Sequence, residues 1–498
     1  MNPVIDADKT KKSARFDQED WSSAYCNVEK EYKKTTLEII KGEVPKDLNG
    51  TFYRNGPGRL ERKGKWVHHP FDGDGMIASI QFTNGIATFS NRFVRTKEWE
   101  EEEKAGKFLY RGVFGTKKSG LFLSNAFYVR LKNIANTNVI RLGEELLALW
   151  EAGSPHSLDP ATLETNGLSN VKGALSDNEE FSAHPRFDPG HNNDSRMVTF
   201  GVKTGPKSTI RLMEFATKGA NAGCLITERK DTFNGFAFLH DFSITPNWAI
   251  FLQNAIDFNP LPFLLGQKGA AQCLRSNFNR KSKFWLIPRD HGAFSKTKPK
   301  IIDAPDGFVF HHLNAWEEND EIFVESIFYD DFPSIGPKQD FKKIDFNQLP
   351  EGILKRCKIN LLTNSIEEKT LSNQCCEFAM VNPNKVGLQA RYSWMATAAK
   401  GTGNGPLQAI KKLDLVNGKS HTWSIAPRGF VSEPLMIPQS SSKEEDNGWV
   451  LVLIWNGKLQ QSELVVLKAK DLSHQATLRI PIKIPHGLHG SWVDSNKL

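Results

Sequence analysis

From Leu37 onward the chain is written in short apolar runs, each broken after a few residues by Gly, Pro, Asn or a charge. The segment SIQF-TNG-IATFSN, with Asn84-Gly85 at its centre, has the form of a two-strand hairpin. VIRLGEELLALWE, FSITPNWAIFLQN and NGWVLVLIWNGKLQQSELVVLKAKDL repeat the strand–turn–strand form. Runs this short cannot lay a continuous stripe along a helix, and their density over the whole length predicts an all-β fold. No composition break or low-complexity linker divides the chain. The expectation is therefore one domain over residues 21–498, preceded by a flexible polar arm over residues 1–20.

Two stretches interrupt the β rhythm. Residues 100–115 and 120–134 carry helix-like spacing, and residues 258–266 (FNPLPFLLG) crowd apolar side chains between prolines and a glycine. An apolar tip is costly in water unless it packs inward or meets a partner. Leu121, Phe122, Leu123, Phe127, Leu261, Phe263 and Leu264 are thus candidates either for core or for a patch that dips into a membrane surface, with Lys117, Lys118, Arg130 and Lys132 beside anionic headgroups. No apolar run approaches the ~18–20 residues that span a bilayer, and the N-terminus lacks the apolar core of a secretory signal. Six cysteines without C-x-x-C spacing read as reduced thiols. These features together predict a cytoplasmic, peripherally membrane-associated monomer. The net charge of +7 is scattered rather than gathered in a stripe, which argues against nucleic acid as a partner.

The chemistry is concentrated where apolar runs end in imidazole or carboxylate. His184 follows Phe181-Ser182-Ala183, His240 ends Phe236-Ala237-Phe238-Leu239, His311 and His312 end Phe308-Val309-Phe310, and His489 lies near the C-terminus. Glu151, Glu377 and Glu433 occupy similar settings. From His184 through His240, His311, Glu377 and Glu433 to His489 the intervals are 56, 71, 66, 56 and 56 residues. That is roughly one four-stranded propeller blade with its loop, simpler blades repeating every ~40–50 residues. Groups recurring once per blade converge on the propeller axis. Four neutral imidazoles there would nest a divalent transition metal, and carboxylates would orient them through the second ring nitrogen. Strand alternation alone leaves open which of His311 and His312 faces the axis.

The motifs YRNGPG (53–58), HPFDGDGM (69–76), RFVRT (92–96), KNIANTN (132–138), LLALWE (146–151), SAHPR (182–186), HDFSIT (240–245), FHHLNAWEE (310–318) and LHGSW (488–492) occur in an order that resembles the carotenoid cleavage oxygenases. The resemblance implies a seven-bladed β-propeller with a helical dome, and a non-haem Fe(II) held by His184, His240, His311 and His489. It implies outer-sphere carboxylates at Glu151, Glu377 and Glu433, partnering His240, His311 and His489. Thr137 would crowd one open coordination position, leaving one for O2. Tyr25, Phe71, Phe114, Trp150, Phe238 and Phe310 would line the substrate tunnel. The implied reaction is cleavage of a conjugated C=C bond by O2, in the branch that cuts apocarotenals at the 15,15' bond to give retinal. Cleavage at 9,10 bonds, non-oxidative isomerohydrolysis on the same fold, and a metal-free propeller acting as an interaction module are the alternatives.

Overall fold

The computed structural model describes residues 16–495, with residues 121, 178, 191–194, 290–295, 335, 337–338, 400–403 and 440–441 outside the described residues; of 122 and 123 only the backbone is described. Seven antiparallel sheets of four to six strands form the blades of a β-propeller. Within a blade, burial follows position. Trp248–Gln253 is buried on both faces because sheets pack against each side of it, whereas Leu225–Asn234, an outer strand, alternates between half-buried and exposed residues as far as the buried Phe233. Neighbouring blades share cores: Ile250, Leu252, Phe284 and Leu286 meet Val309, Ala315, Ile322 and Val324. Each of the Ile, Leu, Phe and Val side chains contributes roughly 1.5–3 kcal/mol on burial.

The ring is closed by strand exchange between the two ends of the chain. Near the N-terminus, Glu38–Gly42 adds an outer strand to the blade completed by His474–Arg479. Near the C-terminus, Gly490–Asp494 adds to the first blade beside Gly50–Arg54, with Arg54 opposite Gly490. Closure therefore rests on backbone hydrogen bonds between segments more than 400 residues apart.

Three expectations need correction. The helical stretch over 100–115 is a helix only at Lys97–Ala105, capped by Thr96 and ended by Gly106 at φ 62°. Among the described residues of 120–134 there is one 3-10 turn, Phe122–Asn125, and no α-helix. The buried guanidinium of Arg111 takes the carbonyls of Asn125 and Tyr128 that a helix would have used. Lastly, the arm overlaps the ordered domain. Gln18–Ser23 is a helix on which Trp21 stacks against His486 at 4.7 Å, and Asp20 is buried in an ion pair with Arg428.

Candidate metal centre

His184, His240 and His489 each stand just ahead of an innermost strand: Arg186–Asp188, Ser243–Ile244 and Gly490–Asp494. His311 lies within Phe308–Glu318, whose pairing shifts register on both sides of His312. Bulges re-aim side chains, and here His311 and His312 part company. His312 turns into its blade, where Nδ1 meets Ser326 Oγ at 2.7 Å and burial lowers its pKa to about 4. Behind the histidines, Asp241 Oδ2 accepts from His312 N and from Arg186 Nη2, and Arg186 Nη2 also donates to the His312 carbonyl. Three consecutive blades are thus tied together where their imidazoles emerge.

One ring nitrogen from each of His184, His240, His311 and His489 lies within 4.8 Å of the others. His184 Nε2 and His240 Nε2 face one another at 3.0 Å, and His311 Nε2 is buried without a hydrogen-bond partner. Two imidazole lone pairs at that distance repel unless a proton or a cation lies between them. Burial, with the neighbouring His240, His489 and His311, holds His184 well below its ordinary pKa, which keeps that ring neutral and able to serve as a donor. A buried all-imidazole donor set fits a divalent first-row transition metal and does not suit the hard oxygen-seeking Mg²⁺ or Ca²⁺.

The carboxylates pair as the resemblance implies: Glu151 Oε1 with His240 Nδ1 at 2.5 Å, Glu377 Oε2 with His311 Nδ1 at 2.6 Å, and Glu433 Oε1 with His489 Nδ1 at 2.7 Å. Each such contact places the ring proton on Nδ1 and turns Nε2 inward. Burial opposes the charge on Glu377, but His311, the Tyr329 hydroxyl and Phe378 N outweigh it and lower its pKa. Glu433 is likewise lowered against burial by His489, Arg54 and Gly490 N. His311 responds in the opposite direction, its pKa raised by Glu377 despite burial. His184 has no carboxylate partner among the described residues. Glu151 follows the second strand of its blade, Glu145–Leu149, whereas Glu377 lies in an innermost strand, Cys376–Val381.

Thr137 is buried beside the centre. Its carbonyl accepts from His489 N at 3.0 Å and its hydroxyl donates to Asn136 Oδ1 at 3.2 Å. Phe310 lies 5.4 Å from the His240 ring, and Phe238 joins it at 6.4 Å. Phe71 and Phe114 stand 5.4 Å apart with His69 against both, and Trp150 is buried. Tyr25 packs with Trp21, Phe341 and His486 in the cluster around the N-terminal helix. Sequence reasoning missed Phe332, which completes the wall with Phe308 and Phe310, and Phe378, 5.7 Å from His311. Phe378 has φ 55° at a register shift just after Glu377, a conformation a bulky residue adopts only under tertiary constraint. No local signal marks it.

Four of the seven expected patch residues, Phe127, Leu261, Phe263 and Leu264, are described in full. Leu121 lies outside the described residues, as do the side chains of Phe122 and Leu123. Phe127 is 75% exposed and Leu261 59%, while Leu264 is half-buried. Phe263 turns inward beneath the Arg111 guanidinium, 4.2 Å from its ring centroid, so it belongs to the core. The two loops are joined, Phe127 N donating to the Leu264 carbonyl at 2.7 Å. Lys132, expected beside headgroups, is instead buried between Asp74 and Glu102. Among the described residues no helix is long and apolar enough to cross a membrane.

The family profile of the retinal pigment epithelial membrane protein matches residues 25–494. Apocarotenoid-15,15'-oxygenase of Synechocystis sp. is 43% identical over 96% of this chain and 97% of its own length. Lignostilbene-α,β-dioxygenase isozyme III of Sphingomonas paucimobilis is 29% identical over 92% of this chain and 94% of its own. A crystal structure of the cobalt-substituted Synechocystis enzyme superposes with a TM-score of 0.93 at 42% identity, covering 97% of this chain and 100% of that one.

Proposed function

Because the chain belongs to the retinal pigment epithelial membrane protein family, which includes the carotenoid cleavage oxygenases, we propose that it is an Fe(II)-dependent dioxygenase that cleaves an apocarotenoid at its 15,15' double bond to give retinal. The observation that carries this reading is the convergence of four imidazoles, three of them oriented by carboxylates, directly against an aromatic wall. His184, His240, His311 and His489 would hold the iron. Bound there, ferrous iron supplies the reaction with O2 that no protein side chain can perform.

The chain's own part is orientation and exclusion. Glu151, Glu377 and Glu433 keep the ring proton on Nδ1, so that each Nε2 lone pair stays directed inward. Phe310, Phe238, Phe308 and Phe332 form an apolar face that accepts a rod-shaped polyene edge-on and keeps water away. Phe71, Phe114 and Trp150 serve the same wall, and the bond cut is set by how far the rod slides along it. No acid–base pair selects the bond. Thr137, whose carbonyl accepts from His489 N, would crowd the metal from its side and restrict the approach of O2. Phe127 and Leu261, held on joined loops, form a small patch through which a water-insoluble substrate is drawn from a bilayer.

The test is incubation of iron-loaded protein with β-apo-carotenals of graded length, with O2 uptake followed and products identified by mass. Retinal formed together with O2 consumption is expected. Turnover without O2, as in ester cleavage, or products cut at 9,10 bonds would overturn the assignment.

A further inference from the structure

The three carboxylates behind the metal centre are themselves anchored unequally. Glu151 has only His240 as a partner among the described residues, and its side chain is 32% exposed. Glu377 is backed by a neutral group, the Tyr329 hydroxyl, at 2.5 Å. Glu433 is backed by a charge: its Oε2 accepts from Arg54 Nη1 at 2.7 Å and from Gly490 N at 3.0 Å, while Oε1 faces His489. Arg54 is 2% exposed, and its Nε and Nη2 have no partner among the described residues. Its charge is therefore directed at a single carboxylate.

What brings these groups together is the closing seam. Arg54 ends the strand Gly50–Arg54, Glu433 belongs to the last blade, and Gly490 opens the C-terminal strand paired opposite Arg54. The approach is close enough to require glycine. A Cβ at Gly490 would lie 2.3 Å from the Tyr53 carbonyl oxygen and 3.2 Å from Arg54 Cδ. The charge count is consistent: a divalent ion with three carboxylates leaves one negative charge, and Arg54 cancels it. Uncompensated charge in a buried site is expensive.

We propose that Arg54 is a positioning residue of the metal centre, which acts through Glu433 to orient His489 and so couples metal retention to closure of the propeller ring. This rests on the metal-binding reading above. The experiment loads wild type, Arg54→Gln, Arg54→Lys, Glu433→Gln and the Arg54→Gln/Glu433→Gln double variant with Co(II). It records the visible ligand-field bands and the rate of release to a chelator. Arg289→Gln is the control for losing a buried arginine, since Arg289 is equally buried but pairs with Glu214 and Asp188.

Arg54→Gln should release cobalt about 10- to 100-fold faster, the usual size of an outer-sphere effect, with shifted bands. The double variant should be no worse than Glu433→Gln alone, because Arg54 acts through that carboxylate. Arg54→Lys should recover part of the loss, its ammonium keeping the charge without the planar fork. Native release and bands in Arg54→Gln, multiplicative effects in the double variant, or the same change in Arg289→Gln overturns the proposal. Should Arg54→Gln fail to fold, Arg54→Met, which keeps the apolar stem without the charge, decides: native release and native bands there refute the role. A wild type that binds no cobalt overturns the metal reading as well, whereas a wild type and an Arg54→Gln that hold it equally overturn this proposal alone.

Discussion

Adjacent histidines with opposite fates offer the sharpest check on the metal centre. His311 presents a buried, unpartnered Nε2 to the other three imidazoles, while His312 is turned away and bonded to Ser326. Replacing His311 with Ala removes one of four donors. Since outer-sphere changes alone cost ~10- to 100-fold in metal affinity, loss of a ligand should cost more than ~100-fold and leave purified protein essentially free of iron. Replacing His312 with Ala should leave the metal in place, because Asp241 still accepts from the backbone N of residue 312 and holds the strand. The cost appears in stability. Ser326 is fully buried and loses its partner, which costs about 1–3 kcal/mol, and the missing ring adds a cavity. A total of about 2–4 kcal/mol should lower Tm by several degrees. Iron content after anaerobic reconstitution, measured beside thermal unfolding of both variants, separates the two roles. An iron-replete His311→Ala protein, or a folded His312→Ala protein that cannot hold iron, refutes the assignment.

Glu377→Gln should keep the fold and weaken iron binding or turnover about 10- to 100-fold; wild-type values in both measurements would remove Glu377 from the centre. Phe127→Ser with Leu261→Ser should loosen liposome association, since each exposed side chain contributes up to about 1.5–3 kcal/mol if fully buried in lipid, while activity on detergent-solubilised substrate survives. Unchanged liposome binding would refute the patch. His156 is buried with its pKa lowered to about 4 from 6.5, burial being the main cause. Between those values the unfolded chain binds a proton that the folded chain does not, so stability rises with pH there and is lost as pH falls from about 6.5 to about 4. His156→Phe should flatten the slope of unfolding free energy against pH by at most about 1.4 kcal/mol per pH unit; superimposable slopes would show that the imidazole is already protonated in the fold.

Much of this protein is legible one residue at a time. Short apolar runs and turn residues dictate strands, because period and punctuation are local properties, and the blade-length interval between His184, His240, His311, Glu377, Glu433 and His489 points to a shared axis. Those residues do meet there. What failed was whatever depended on a partner distant in the chain. Residues 120–134 have helical spacing, yet Arg111 captures their carbonyls from another loop. Phe263 reads as part of an apolar tip until the same guanidinium lies over it, and Lys132 reads as a surface cation until Asp74 and Glu102 enclose it. Arg54 shows the limit most clearly. In sequence it is the second residue of YRNGPG, with nothing to link it to Glu433; only ring closure, which sets it opposite Gly490, brings it to Glu433 and the metal centre. Local patterning sets which segments become strands and which end in a ligand, because those choices involve neighbours along the backbone. The charge environment, the bulges beside His312 and Glu377 and the final exposure of each side chain arise from segments that meet only when the propeller closes.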